Sequence, residues 1–135
     1  MKMKRNNLNQ LLLKILFLSY PISGFVSVGL GAFASHSLRS ILSPDLLKIF
    51  ETGNRYQFYH TLAGLISLVL YRNLRNKLYL YSSVFFILGI VLFSGSLYIL
   101  ALTGFRKLGM ITPIGGVSFL LGWIFLILGT WKEKF

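Results

Sequence analysis

Cysteine is absent from the chain, which excludes disulfides, thiol catalysis and thiolate-held metals. Acid is nearly absent too. Asp45, Glu51 and Glu133 stand against 14 lysines and arginines, for a net charge of +11. No carboxylate lies within an apolar run, which weakens a proton-coupled exporter of the small four-helix kind. Two histidines and Glu51 are too few for a metal centre, which takes three or four ligands, so neither metal nor cofactor is expected. Charge of either sign is only 13 % of the residues, about half the roughly 25 % of a soluble domain. Phosphate-loop, dinucleotide and metal motifs are missing as well.

What fills the chain is apolar: 55 % of residues, with a mean hydropathy of +0.70. The clearest stretch is Leu78–Leu102, LYLYSSVFFILGIVLFSGSLYILAL, without one charge. About 20 apolar residues span the roughly 30 Å hydrocarbon layer, so this run predicts a transmembrane helix with length to spare. Three more spans are predicted around it, at about residues 11–33, 54–71 and 113–131. The first follows a basic head and ends near Ala32-Phe33-Ala34, a small-x-small pattern that a signal peptidase could read. Its length, Lys14 and Pro21 favour an uncleaved span. Between the first two spans, Ser43-Pro44-Asp45 reads as a helix start, with a serine cap, proline in first position and an acid in the first turn. Gly53 reads as a break or bend after a short helix lying at the membrane surface. The fold class is therefore an all-α integral membrane protein in one domain, residues 1–135: a four-transmembrane-helix bundle with a short interfacial helix between spans 1 and 2.

Basic residues gather at the ends of the apolar runs, which points to a membrane surface and not to nucleic acid. With four spans, one side holds Lys2, Lys4, Arg5, Lys14, Arg72, Arg75, Lys77, Lys132 and Lys134. The other holds Arg39, Lys48, Arg55, Arg106 and Lys107. The richer side is cytoplasmic by the positive-inside rule, which predicts both termini in the cytoplasm. Small residues mark where membrane helices meet. Gly115, Gly122 and Gly129 recur every seven residues, as do Ser82, Gly89, Ser96 and Thr103. Gly24, Ser27 and Gly31 share a face, and Gly64 follows His60 by one turn. The expected packing glycines are Gly24, Gly31, Gly64, Gly89, Gly95, Gly115 and Gly122.

This topology gathers His36, Gln57, His60, Tyr98 and Thr112 in the outer half of the bundle, a candidate polar cluster for a lipid, a small ligand or a partner helix. His60 has two readings. It is a ligand, proton carrier or headgroup contact, or it is a neutral imidazole bonded to Tyr98 or to a backbone carbonyl. Ser94-Gly95-Ser96 offers hydroxyls without the G-x-S-x-G context or an acid–base partner, so no catalytic residue is assigned. A non-enzymatic membrane protein is the preferred reading. A small transporter or transporter subunit is the alternative, and a membrane enzyme using His36 and His60 is the third. The sequence does not set the oligomeric state or name a partner beyond the bilayer.

Four motifs in order carry a resemblance: Gly31-Ala32-Phe33-Ala34-Ser35-His36, Tyr56-Gln57-Phe58-Tyr59-His60, Leu92-Phe93-Ser94-Gly95-Ser96-Leu97-Tyr98, and Leu108-Gly109-Met110-Ile111-Thr112-Pro113-Ile114-Gly115-Gly116 with Gly122-Trp123. The chain resembles the YgdD/YwdK family of small bacterial membrane proteins, related to vertebrate transmembrane protein 256, from about residue 20 to residue 131. Ser35 stands where that pattern has Ala or Gly. The resemblance implies a multi-pass inner- or plasma-membrane protein in a family of unknown function, and it supplies no catalytic residue.

Overall fold

A computed structural model describes the backbone of residues 2–133 and the side chains of residues 9–133. The side chains of Lys2, Lys4 and Arg5, and all of Lys134, lie outside the described residues. Helix α1 runs Lys2–His36, with Pro21 inside it. A 3-10 turn at Leu38–Ser40 leads to α2, Pro44–Leu74. The third rod is α3, Lys77–Gly89, a π-turn at Ile90–Ser94, and α4, Gly95–Thr103. A 3-10 turn at Arg106–Met110 precedes α5, Thr112–Lys132. No strand occurs among the described residues.

The ends of these helices follow from local chemistry. Ser43 accepts from the Leu46 amide at 3.4 Å, and Pro44 takes the first position of α2, where its missing N–H costs nothing. Arg75 closes α2 in the left-handed conformation, and Asn76 caps α3 by accepting from the Leu78 amide at 3.1 Å. Gly104, at φ 70°, ends α4. One expectation needs correction: residues 44–53 are not a separate short helix. They are the first turns of α2, which passes through Gly53 unbroken. The glycine serves packing. A Cβ at 53 would stand 3.3 Å from the Ser94 carbonyl oxygen and 3.2 Å from the Leu97 Cβ, so its absence lets α2 lie close on the third rod.

Three helical stretches among the described residues are long and apolar enough to cross a membrane: Asn9–Ser40, Lys77–Thr103 and Arg106–Lys132. In the bundle, α2 and the third rod lie side by side, with α1 along α2 and α5 along α3 and the π-turn. The seam between α3 and α5 is a row of aromatic rings set over glycines. Tyr79 meets Gly129, Phe86 meets Gly122 and Phe93 meets Gly115, each step seven residues on both strands of the seam. In the reverse sense, Phe119 of α5 covers Gly89 of α3. On the other side, the Tyr20 ring of α1 covers Gly64 of α2, and its hydroxyl bonds to the Ser83 carbonyl on α3. A period of seven keeps one face of each helix toward its neighbour, which suits near-parallel packing. Lipid offers no hydrophobic reason for helices to associate, so these close fits, and the hydrogen bonds described next, hold the rods together.

Not every expected packing residue faces a neighbour. A Cβ at Gly95 would meet nothing within 4 Å, so Gly95 is not at a helix contact. Gly24 is in ordinary contact with Thr61, and Gly31 lies 3.2 Å from the Asn54 amide oxygen by the same measure. Ser82 turns to α2, where it bonds to Ser67 at 3.0 Å, and Thr103 is exposed and bonds to its own helix.

Candidate functional site

The polar residues of α1 and α2 recur at helical spacing. Ser23 and Ser27 are four apart on α1; Asn54, Gln57 and Thr61 share a face of α2. The two faces meet. Asn54 donates to the Ser27 carbonyl at 2.7 Å, and Gln57 donates to the Ser23 carbonyl at 3.0 Å and hydroxyl at 3.2 Å. Ser23 and Thr61 share a hydrogen bond at 2.7 Å. From α4, the Tyr98 hydroxyl donates to the Gln57 carbonyl oxygen at 2.6 Å and accepts from Asn54 at 3.4 Å. Gln57 is only 4 % exposed. Its amide oxygen and nitrogen are both used, so a group that would be costly in an apolar interior is satisfied by two other helices.

Beside this network lies an open groove of about 460 Å³ between α1 and α2. Ser27, Gly31 and Ala34 of α1 and Asn54 and Arg55 of α2 line it, and Glu51 stands with Arg55 along its α2 wall. Small side chains on α1 make the room. Asn54 joins the groove to the buried network, since its side chain belongs to both.

His60 is elsewhere. Its ring stacks on Phe119, with centroids 3.6 Å apart and planes 13° from parallel, and lies 5.5 Å from Phe86. Nδ1 lies 2.8 Å from the Tyr56 carbonyl oxygen and Nε2 lies 3.3 Å from the Trp123 indole nitrogen. A carbonyl only accepts and an indole N–H only donates. Those partners assign the neutral tautomer with the proton on Nδ1. Both ring nitrogens are engaged, so neither is free to take a metal or a substrate proton.

Of the five residues expected together, only two are in direct contact. Gln57 and Tyr98 bond to each other. His60 sits in the aromatic box of α2, α3 and α5, and bonds to Tyr56 and Trp123 instead of Tyr98. Thr112 opens α5 and bonds to Ser96 at 2.8 Å. His36 is exposed at the end of α1. The cluster expected from the sequence does not include Asn54, Ser23, Ser27, Thr61 or Trp123; Ser27 is expected there only as a packing residue and Trp123 only as part of a family motif. The spacing of Asn54, Gln57 and Thr61 along one helix face was the available signal. No group of three metal-ligating side chains occurs among the described residues.

A helical bundle with apolar outer faces, polar groups bonded to one another inside and helices of membrane-spanning length is a membrane protein. The chain belongs to the family described as "Protein of unknown function (DUF423)", whose model matches residues 30–116. It is 46 % identical over 114 residues to the UPF0382 inner membrane protein YgdD of Escherichia coli strain K12, covering 84 % of this chain and 86 % of that one. It is 41 % identical over 120 residues to the UPF0382 membrane protein SSP2132 of Staphylococcus saprophyticus, covering 89 % and 99 %. A UPF0382 membrane protein of Haemophilus influenzae is 46 % identical over 114 residues, covering 84 % and 90 %. No solved structure matches the chain.

Proposed function

We propose that the chain crosses the cell membrane four times with both ends in the cytoplasm, and that it is a non-enzymatic protein whose groove between α1 and α2 holds a lipid headgroup in the outer half of the bilayer. Helix α2 is the span that composition alone understates. Its polar residues Gln57, His60, Thr61 and Ser67 are buried against protein, while its exposed side carries Phe58, Leu62, Ile66 and Val69. A helix that turns these polar groups away from lipid suits a bilayer better than its composition suggests. The first turns of α2, with Asp45, Lys48 and Glu51, would then lie at the outer interface. The name of the Escherichia coli relative, an inner membrane protein, accords with this placement.

The observation that carries the lipid reading is the groove. It has the volume of a small-ligand site, roughly 300–1,000 Å³. Its wall sets the carboxylate of Glu51 one helical turn from the guanidinium of Arg55, with exposed Phe58 and Tyr59 below. A zwitterionic headgroup matches that pair, its phosphate on Arg55 and its ammonium on Glu51, and the aromatic wall suits acyl chains. The test is native mass spectrometry of the purified protein titrated with phosphatidylethanolamine. The wild type is expected to retain one lipid that Arg55→Gln loses. Equal retention by both would overturn the lipid reading, and capture of a second copy or another helix in its place would favour a docking role.

A further inference from the structure

At the opposite end of the same seam, α1 and α2 enclose a second, smaller groove of about 290 Å³. Gln10, Leu13 and Phe17 line it from α1, and Tyr71, Arg72 and Arg75 from α2. The Arg72 guanidinium lies over the Phe17 ring, 5.8 Å from its centroid. A cation held on an aromatic face is positioned before any anion arrives. Arg75 is the one residue other than glycine with a positive φ among the described residues, at 59°. It closes α2, at the place where glycine is usual because a side chain is strained there. Arginine at that position keeps a second guanidinium on the groove despite the strain. Such outliers persist where the surroundings or a function hold them.

Among the described residues, no acid neutralises the pair. Asp45 and Glu51 belong to the far end of α2. Glu133, the acid on this side, accepts from the Asn76 side-chain amide at 2.9 Å. Lys14, exposed on α1 one helical turn from Gln10, adds a further positive charge to this end of the helix.

We infer that this groove is a binding site for a phosphate-bearing anion, with Arg72 and Arg75 as its two ligands. Leu13, Phe17 and the ring of Tyr71 make one wall apolar, which fits an anionic phospholipid whose phosphodiester lies on the arginines and whose acyl chain follows α1. Free phosphate shares the headgroup chemistry and lacks the chain. The site is independent of the groove at Arg55, since the two share no residue.

The full-length protein is titrated in detergent with phosphatidylglycerol, with phosphatidylcholine and with inorganic phosphate, and bound copies are counted by native mass spectrometry. A surface arginine near an anionic lipid contributes about fivefold in affinity, so Arg72→Gln with Arg75→Gly is expected to weaken phosphatidylglycerol binding by about 25-fold. Lys132→Gln, which removes a cation from the same end outside the groove, is expected to leave it unchanged. Arg75→Gly alone relieves the positive φ, so it folds at least as well as the wild type, and it is expected to lose about fivefold by itself. Phosphatidylcholine, whose phosphate is already paired with an ammonium, is expected to bind more weakly. Binding of inorganic phosphate alone that is lost in the same variants would support the anion site and assign it to the free ion. The inference is overturned if Arg75→Gly binds phosphatidylglycerol as the wild type does, or if Lys132→Gln weakens it as much as the groove variants.

Discussion

Gly115 of α5 rests on the main chain of Phe93, inside the π-turn of the third rod. A Cβ at 115 would overlap the Phe93 nitrogen and stand 2.7 Å from its Cα. Gly53 of α2 also lies against that turn, less closely: a Cβ at 53 would stand 3.3 Å from the Ser94 carbonyl oxygen. The π-turn is thus held between two glycines from two helices. A π-turn widens the helix locally and is a recurrent feature of functional sites. Here the wider stretch fits because Gly115 has no side chain to strike its main chain, and Gly53 leaves further room on α2.

Gly115→Ala is therefore expected to destabilise the bundle, because backbone atoms cannot move aside as a side-chain tip can. Overpacking of this kind costs about 1–3 kcal/mol. Gly95→Ala is the control, since its Cβ would meet nothing within 4 Å and alanine favours the helix by about 0.5–1 kcal/mol. Thermal unfolding in detergent should give a lower midpoint for the first variant and an equal or higher one for the second. Equal midpoints for both would show that the contact is not tight.

The glycine register of α5 was legible in the sequence, but what fills it was not. Tyr79, Phe86 and Phe93 repeat every seven residues too, yet a search for small residues meeting small residues passes over them. A hole on one helix needs a knob on the other. Gly95 shows the converse error. It is small and lies in an apolar run, but it is not on the Tyr79–Phe86–Phe93 stripe, and it faces away from the neighbouring helices. The polar network was half legible for a related reason. One helix face carries Asn54, Gln57 and Thr61, but their partners depend on how α1 slides along α2. Tyr20 over Gly64 fixes that register, and no periodicity within a single helix contains it.

Tyr98→Phe removes the donor to Gln57 and leaves its amide oxygen buried without that partner. In water-soluble cores the loss costs about 1–3 kcal/mol, whereas side-chain hydrogen bonds between membrane helices average about 0.6 kcal/mol. A loss of about 0.5–1.5 kcal/mol is expected. The double variant with Gln57→Leu should recover part of it, because no unpaired acceptor remains. A double-mutant cycle on unfolding free energies measures the coupling, and a coupling of zero would mean that the two side chains do not bond in the folded protein.

His60 is expected to act through shape more than through chemistry. His60→Phe keeps the ring stacked on Phe119 and gives up two hydrogen bonds, so it should cost about 1–2 kcal/mol. His60→Ala empties the aromatic box and should cost about 3–5 kcal/mol, the range for deleting a buried ring. Nitrogen NMR of the wild type, labelled at histidine, should show the proton on Nδ1. If the phenylalanine variant folds as stably as expected but abolishes lipid retention or another measured activity, the imidazole has a role beyond packing.

Whether α2 crosses the bilayer can be read directly, because the chain has no cysteine to give background. Ser40 lies in the exposed connection before α2, and Asn73 is exposed at its other end. The helix between them, Pro44–Leu74, is 31 residues long, about 46 Å at 1.5 Å per residue, enough to pass from one interface to the other. Each position is changed to cysteine in turn, and intact cells are treated with a membrane-impermeant maleimide. Ser40→Cys is expected to label from outside, and Asn73→Cys only after the membrane is opened. The burial of Gln57, His60 and Ser67 against protein would let α2 cross although it is not among the three stretches long and apolar enough by hydropathy. Labelling of both sites from the same side would put α2 along the membrane, and the Glu51–Arg55 groove would then have no defined outer half in which to hold a headgroup.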